Sequence, residues 1–329
     1  MLRFVAPILC LSIIFSASAF SQGKPLKKIR VGVPSVTVGN IIIFVAKEAG
    51  LFEKYGLDAE VVVVQGSGVA SKAMIGGSLD IAPVATPTVI SADLAGADLT
   101  ILAHTMPSVI HALMVKPEIK RPEDLKGKKI AISSFSSLTD FLVRAIMKKK
   151  GLNPDRDVSF LQIGGDAERL AALNQGVADA AAISYPGYAR AQKLGFAMLC
   201  DSSKEINYPW MEIVTRRATI QRDRDVVLNY MKAHLEGIAL FKRDGRFGRR
   251  VIRRTLKLND GELVNESYEL FARSFLSIPH PNLPGMKTSF EYVAQTSPEI
   301  WNYKPEKFVD VSFVEELDKS GFIKKLYEK

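Results

Sequence analysis

Between Ile132 and Phe141 the chain reads ISSFSSLTDF, four serines and a threonine around one phenylalanine, set between the apolar run KKIAI and the helix-like LVRAIMKKKG. Residues Ser133 to Ser137 ahead of a helix opening at Leu138 offer hydroxyl and backbone N–H donors to an anion, aided by the helix dipole. A charge-assisted hydrogen bond contributes roughly 1.5–3 kcal/mol, so three or four of them plus some apolar contact approach the ~8 kcal/mol of micromolar binding. Ser134, Ser136 and Ser137, with Phe135 between them, are therefore candidate ligand contacts. The competing use of the same hydroxyls is capping and turn formation.

Other polar turns have the same character. Ser35, Thr37 and Asn40 lie in PSVTVGN, with Asn40 also readable as a plain N-cap. In QGSG, Gly66 and Gly68 allow φ > 0 and close backbone approach, which offers Ser67 to a ligand. Thr86 before Pro87 fits an N-cap followed by Pro at N1 as well as it fits a contact. In GGDA, Gly165 and Asp166 open another helix; Asp166 reads first as an N-cap with Arg169 as a local ion partner, and facing a cleft it would oppose a bare anion and favour an amine. Tyr185, Tyr208 and Trp210 are candidates for an aromatic wall, Tyr185 foremost. His104 and His111 read as core or turn residues near a hinge, and no Arg or Lys stands out as fixed in a strand-end turn.

These turns are positioned by a repeat. With an offset of 99 residues, RVGVPSVTV from Arg30 falls on KIAISSFSS from Lys129, VQGSGVASKAM from Val64 on IGGDAERLAAL from Ile163, and MIGGSLDIAPVATP from Met74 on LNQGVADAAAISYP from Leu173. Identities are few, among them Gly77 with Gly176, Asp80 with Asp179 and Pro87 with Pro186; what repeats is the order of strand, turn and helix. Two units alternating short β-branched runs with helical stretches predict an α/β protein of two lobes, each a mostly parallel sheet flanked by helices. Strands are expected near 29–33, 59–64, 81–84 and 100–104, then 129–133, 158–163 and 180–183. Ligands of such sheets bind at the carboxyl ends of strands, so the paired turns are expected to face each other across one interlobe cleft.

Composition limits the alternatives. The chain has 329 residues, 47% hydrophobic and 24% charged, with a formal charge of +9, enough for about two ordinary domains. MLRF, VAPILCLSIIF and SASA have the make-up of a secretory signal peptide over 1–19, cleaved after Ala19. Its removal takes away Arg3 and Cys10 and leaves Cys200 as the single thiol, expected to be a packed small hydrophobe. The densest basic run, KRDGRFGRRVIRR from Lys242, lacks interleaved aromatics and reads as a solvated helix face, which argues against nucleic acid.

The stretches AKEAGLFEKYGLDAEVV, GGSLDIAPVATP, RPEDLKGKKIAI and LNQGVADAAAISYPGYARAQKLGF resemble the substrate-binding proteins of ABC importers for sulfonates, taurine, nitrate and thiamine-precursor pyrimidines, the SsuA/THI5-like or NMT1 family. The resemblance is strong from about Lys28 to Phe196 and looser beyond. It implies a two-lobe periplasmic-binding-protein fold of type II, closing by hinge motion around a small-molecule solute and presenting it to an inner-membrane permease with its ATPase. It also implies a chain that returns to the first lobe, here written as lobe one over 28–115, lobe two over 116–210 and a return over 211–329. Val227, Tyr230, Met231, His234, Ile238 and Phe241 at helical spacing fit that return.

An enzyme on the same fold is the competing class. A relative that makes the thiamine pyrimidine uses a histidine and a cysteine-rich iron-binding motif, which this cysteine-poor chain lacks, and no H-E-x-x-H, G-x-S-x-G or P-loop pattern occurs. A sensor that docks on a receptor would use the same cleft. The expectation is a monomeric periplasmic protein without metal, cofactor or catalysis, binding a small organic anion of the alkanesulfonate or taurine type, with aromatic carboxylates and thiamine-precursor pyrimidines next.

Overall fold

The structure is a computed structural model that describes residues 25–328. The expected signal peptide, with Cys10, lies outside the described residues. Ten strands form two five-stranded sheets. In chain order they are β1 Lys27–Val33, β2 Leu57–Val63, β3 Ile81–Ala82, β4 Leu99–Met106, β5 His111–Val115, β6 Lys128–Ile132, β7 Val158–Gln162, β8 Ala180–Ser184, β9 Ala197–Asp201 and β10 Trp210–Arg216. The first sheet has the order β2-β1-β3-β10-β4 and the second β7-β6-β8-β5-β9.

The repeat is structural. Strands β1, β2 and β3 correspond to β6, β7 and β8, and the helices Ser67–Ile75 and Asp166–Asn174 begin and end 99 residues apart. The shared Asp has a local reason. Asp80 Oδ2 accepts from Arg30 N at 2.9 Å and Asp179 Oδ2 accepts from Lys129 N at 3.0 Å, so each carboxylate ties the entry of one strand to the start of its neighbour. Gly77 and Gly176 supply the positive φ of the turn before it, 74° and 73°.

Both sheets are mixed, for a reason the repeat does not contain. β10 runs antiparallel to β3 and β4, and β5 runs antiparallel to β8 and β9. Each is the strand on which the chain arrives from the opposite lobe, and each slots beside the last repeated strand. The first crossing therefore lies between Met106 and His111, ahead of residue 115, and Trp210 already belongs to the first sheet. HALMV is short and WMEIVTR carries a buried glutamate and threonine, so neither shows the period-2 alternation of a half-buried strand.

The C-terminal third covers the first lobe. In the helix Arg224–Arg243 the stripe Val227, Tyr230, Met231, His234, Ile238 and Phe241 is buried. It packs on the helix Ile41–Glu48, where a Cβ on Gly237 would stand 3.2 Å from Ile42 Cγ2 and 3.6 Å from Ala46 Cβ; the missing side chain lets the two helices approach. Among the described residues no helix is long and apolar enough to cross a membrane.

Candidate functional site

The strand-end turns of the two lobes meet. Thr88 Oγ1 donates to the Ser136 carbonyl at 2.7 Å across the gap, the Tyr185 hydroxyl reaches Glu266, and Lys193 Nζ lies 3.0 Å from Asp260. At Gly66, φ 86°, the lobes lie so close that a Cβ would stand 2.5 Å from Ser134 Oγ. Between them lies a cavity of about 40 Å³ lined by Ser35, Asn40, Gly66 and Ser67 from lobe one and by Ser133, Thr139 and Arg169 from lobe two. His111, Trp210, Met211 and Glu212 also line it, along with apolar residues of both lobes such as Val84 and Leu138. A neighbouring cavity of about 70 Å³ is lined by Thr37, Asp166 and Tyr185.

Buried polar atoms normally find partners. Here Thr37 Oγ1, Asn40 Oδ1, His111 Nδ1 and Ser134 Oγ have none, four of the eight such side-chain atoms among the described residues, and all four belong to residues at this junction. Asn40 is held in one orientation because its Nδ2 donates to the Ser35 carbonyl at 2.8 Å, which leaves Oδ1 as the free acceptor. Ser67 Oγ accepts from Ala85 N at 3.2 Å and keeps its proton to donate.

The serine run divides its work. Ser133, Ser137 and Thr139 bond one another at 2.8 and 3.0 Å, and Ser137 caps the helix Leu138–Lys149. Phe135 and Ser136, together with Ser137, line a larger interlobe groove of about 690 Å³ with Gly68, Pro87 and Thr88 of lobe one; Phe135 N donates to Gln162 and Ser136, at φ 59°, donates its N–H to Asp140. Of the sequence candidates in this run, Ser134 alone keeps an unpartnered hydroxyl at the junction.

Three expectations change. Asp166 is the first residue of its helix and Gly165 the cap position; its carboxylate takes the Ser184 N–H at 3.1 Å, the Ser184 hydroxyl and Arg169. Gly165 lines neither cavity; a Cβ there would meet only the movable end of the exposed Glu168 side chain. Thr86 sits behind the wall, its N–H and hydroxyl both spent on Glu212 at 2.9 Å. The aromatic wall belongs to Trp210, whose ring meets His111 edge-on at 4.9 Å; Tyr208 is buried behind it, bonded to Glu212, and Tyr185 lines the side cavity.

Two charged groups escaped the sequence reading. Arg169 is 1% exposed, with Nε on the Ala182 carbonyl at 2.8 Å and the guanidinium on the Gly164 carbonyl and Asp166. In sequence it looks like a surface i,i+3 partner of Asp166; only the closure of Gly164, Ala182 and the cleft around it makes it a buried cation. Glu212 comes from the arriving strand β10. Because β5 and β10 run against their neighbours, their amino ends reach the edge where the other strands have carboxyl ends: His111 pairs with Ser184 and Trp210 with Met106. Strand carboxyl ends alone give no place to Glu212, nor to His111 and Trp210, which the sequence offered as a core or turn residue near a hinge and as an aromatic-wall candidate. The positive φ of Met211, 58°, was a further signal invisible in sequence.

Around Glu212 the proton order is fixed. The Asn282 N–H donates to His104 Nδ1 at 3.0 Å, so the other ring nitrogen, 3.2 Å from Thr86 Oγ1, is the donor. Thr86 Oγ1 in turn donates to Glu212 Oε1, which also accepts from the Thr86 N–H and the Tyr208 hydroxyl. Burial pushes the Glu212 carboxyl up, opposed by the donors of Tyr208 and Thr86. Burial pushes His104 down to about 3 and His111 down to about 4, so both imidazoles are neutral near pH 7. Among the described residues there is no cluster of His, Cys, Asp or Glu arranged to hold a metal, and Cys200 is buried on β9 with its thiol pushed up by burial.

Comparison with known proteins places this architecture. The NMT1/THI5-like family model matches residues 39–244, and the chain belongs to that family. A protein of Brucella abortus (strain 2308), named only as a binding protein, is 31% identical over 158 residues, 48% of this chain and 48% of its own; the match spans about half the length of that relative. Among solved structures, one from Bordetella bronchiseptica RB50 has a TM-score of 0.80 at 21% identity, covering 89% of this chain and 97% of its own. The alkanesulfonate-binding protein SsuA from Xanthomonas axonopodis pv. citri, bound to MOPS, has 0.72 at 19%, covering 88% and 100%. The periplasmic nitrate-binding protein NrtA from Synechocystis PCC 6803 has 0.72 at 12%, covering 90% and 89%. At these identities the structural likeness is one of periplasmic-binding-protein fold.

Proposed function

We propose that this member of the NMT1/THI5-like family is the solute-binding component of an ABC importer, capturing a small organic anion of the sulfonate or taurine-like class between its lobes and delivering it to a membrane permease from the periplasm. The observation that carries the reading is the convergence of unpartnered buried polar atoms, Asn40 Oδ1, His111 Nδ1 and Ser134 Oγ, on the interlobe junction. Such atoms each cost roughly 1–3 kcal/mol when left unsatisfied, and a solute that bonds them recovers that cost on closure. The buried Arg169 cation in the cavity wall gives lobe two a positive charge suited to an acid group. The chain passes between lobes at Met106–His111 and again before Trp210, and paired crossings of this kind serve as a hinge.

A thiamine-precursor pyrimidine or aromatic carboxylate is the second reading, favoured by the Trp210 ring in the wall. Thermal melting of the purified protein against sulfonates, taurine, carboxylates, nitrate and pyrimidines separates the two. A ligand at about 100 times its Kd adds ~2.7 kcal/mol to stability and raises the midpoint by several degrees. A shift with an organic anion that Ser134→Ala reduces supports the first reading. Shifts confined to pyrimidines sink it.

A further inference from the structure

Deepening that proposed reading, and resting on it, we infer that the solute carries an N–H donor, a primary amine, as well as its acid group, and that Glu212 with Asn40 is the subsite that selects it. The two ends of the cavity differ in kind. On lobe one, Asn40 presents a bare Oδ1, because Ser35 holds its Nδ2. Glu212 lines the same cavity with Oε1 saturated by Thr86 N–H, Thr86 hydroxyl and Tyr208 hydroxyl. Oε2 carries none of these three bonds, and Glu212 contributes to the cavity wall.

The relay behind Glu212 runs one way. A backbone N–H cannot be reversed, so Asn282 fixes the His104 tautomer, His104 donates to Thr86, and Thr86 donates to the carboxylate. Every hydrogen points at Glu212 Oε1, an arrangement that opposes the upward push of burial on the carboxyl and keeps a proton off Oε1. A bare sulfonate seated against this wall would meet the unpartnered Asn40 Oδ1 acceptor and the Glu212 carboxyl, neither of them complementary to it. An ammonium or amino group meets complementary partners, while its acid group lies toward Arg169, Ser133 and Thr139 on lobe two. Recognition of a required donor is also the stronger kind of discrimination, since an analogue lacking it leaves buried acceptors unpaired.

The test is calorimetric titration with matched pairs: taurine against ethanesulfonate, β-alanine against propionate, 2-aminoethylphosphonate against ethylphosphonate, plus an aminopyrimidine as an amine without an acid. The amine-bearing member of the preferred pair is expected to bind about 10- to 100-fold more tightly. In Glu212→Gln the ratio within that pair is expected to collapse toward one, because the amide sets an NH₂ or a weaker acceptor where the free oxygen stood. Asn40→Leu, which leaves the Thr86–Tyr208–Glu212 network untouched, is expected to lower the ratio severalfold and serves if Glu212→Gln does not fold. Equal affinity within the pairs, weakening of both members alike in either variant, or no binding by any amine-bearing compound overturns the inference. An aminopyrimidine that binds tightly and is lost in Glu212→Gln supports the subsite and overturns the organic-anion reading instead.

Discussion

The entry edges of the two sheets are near copies, whereas their cleft edges are not. At the entry edge Asp80 and Asp179 make the same bond to Arg30 N and Lys129 N, and Gly77 and Gly176 turn alike. At the cleft edge, equivalent positions hold Asn40 and Thr139, Ser67 and Asp166, Thr86 and Tyr185. The arriving strands add Trp210 and Glu212 on one side and His111 on the other. What the repeat preserved is the means of joining strand to strand; what diverged is the set of groups a solute would touch. The difference separates residues needed for the fold from residues available for specificity, although Arg169 and Glu212 belong to both.

The largest way to strain that comparison is Arg169→Met. It removes the cation from a nearly buried Asp166 and strips the Gly164 and Ala182 carbonyls of a donor; breaking a buried pair from one side typically costs about 3–5 kcal/mol. Urea unfolding is expected to report a loss of that size, and a loss under about 1 kcal/mol would show that Arg169 serves the cleft alone.

Acidification comes next. His104 and His234 are pushed down to about 3 and His111 to about 4, all by burial. Below their unfolded pKa near 6.5 the unfolded chain binds protons that the folded protein excludes, so stability falls as pH drops through about 6.5 and continues to fall toward 4. Each histidine contributes a slope of up to ~1.4 kcal/mol per pH unit. Melting midpoints should decline steadily from pH 7 to pH 5, and His111→Gln should flatten the decline by about one proton. A midpoint constant over that range would mean these imidazoles are not held neutral by the fold.

Asp80→Asn and Asp179→Asn sharpen the comparison directly. Each weakens one strand-entry bond and one ion pair, with Arg222 and Lys116 respectively, and each is expected to cost about 1–2 kcal/mol with little change in solute affinity. Costs differing by more than about 1 kcal/mol would break the equivalence of the two entry edges.

The smallest effects lie within the serine run. Ser137→Ala removes a helix cap and should cost about 1 kcal/mol. Ser134→Ala deletes a buried hydroxyl with no protein partner and should leave stability within about 0.5 kcal/mol while weakening solute binding. If Ser134→Ala destabilised the protein as much as Ser137→Ala, its hydroxyl would be structural.

Read alone, the sequence determined the frame: seven of the strands, the paired helices, the two lobes and the junctions at which Ser35, Asn40, Gly66 and Ser67 face the cleft. Those features are written in local periodicity, in glycine turns and in a repeat, all of which survive without knowledge of what packs where. Tertiary structure decided which polar atoms remain free. Ser137 and Thr86 look like Ser134 in sequence, yet their hydroxyls are consumed by neighbours 2 to 126 positions away. It also decided that β5 and β10 enter the sheets reversed and bring His111, Trp210 and Glu212 to the cleft, and that Arg169 is buried instead of solvated. The physical reason is common to all of these: a strand's direction in its sheet and a side chain's last hydrogen-bond partner are set by residues distant in the chain, and no local pattern encodes them.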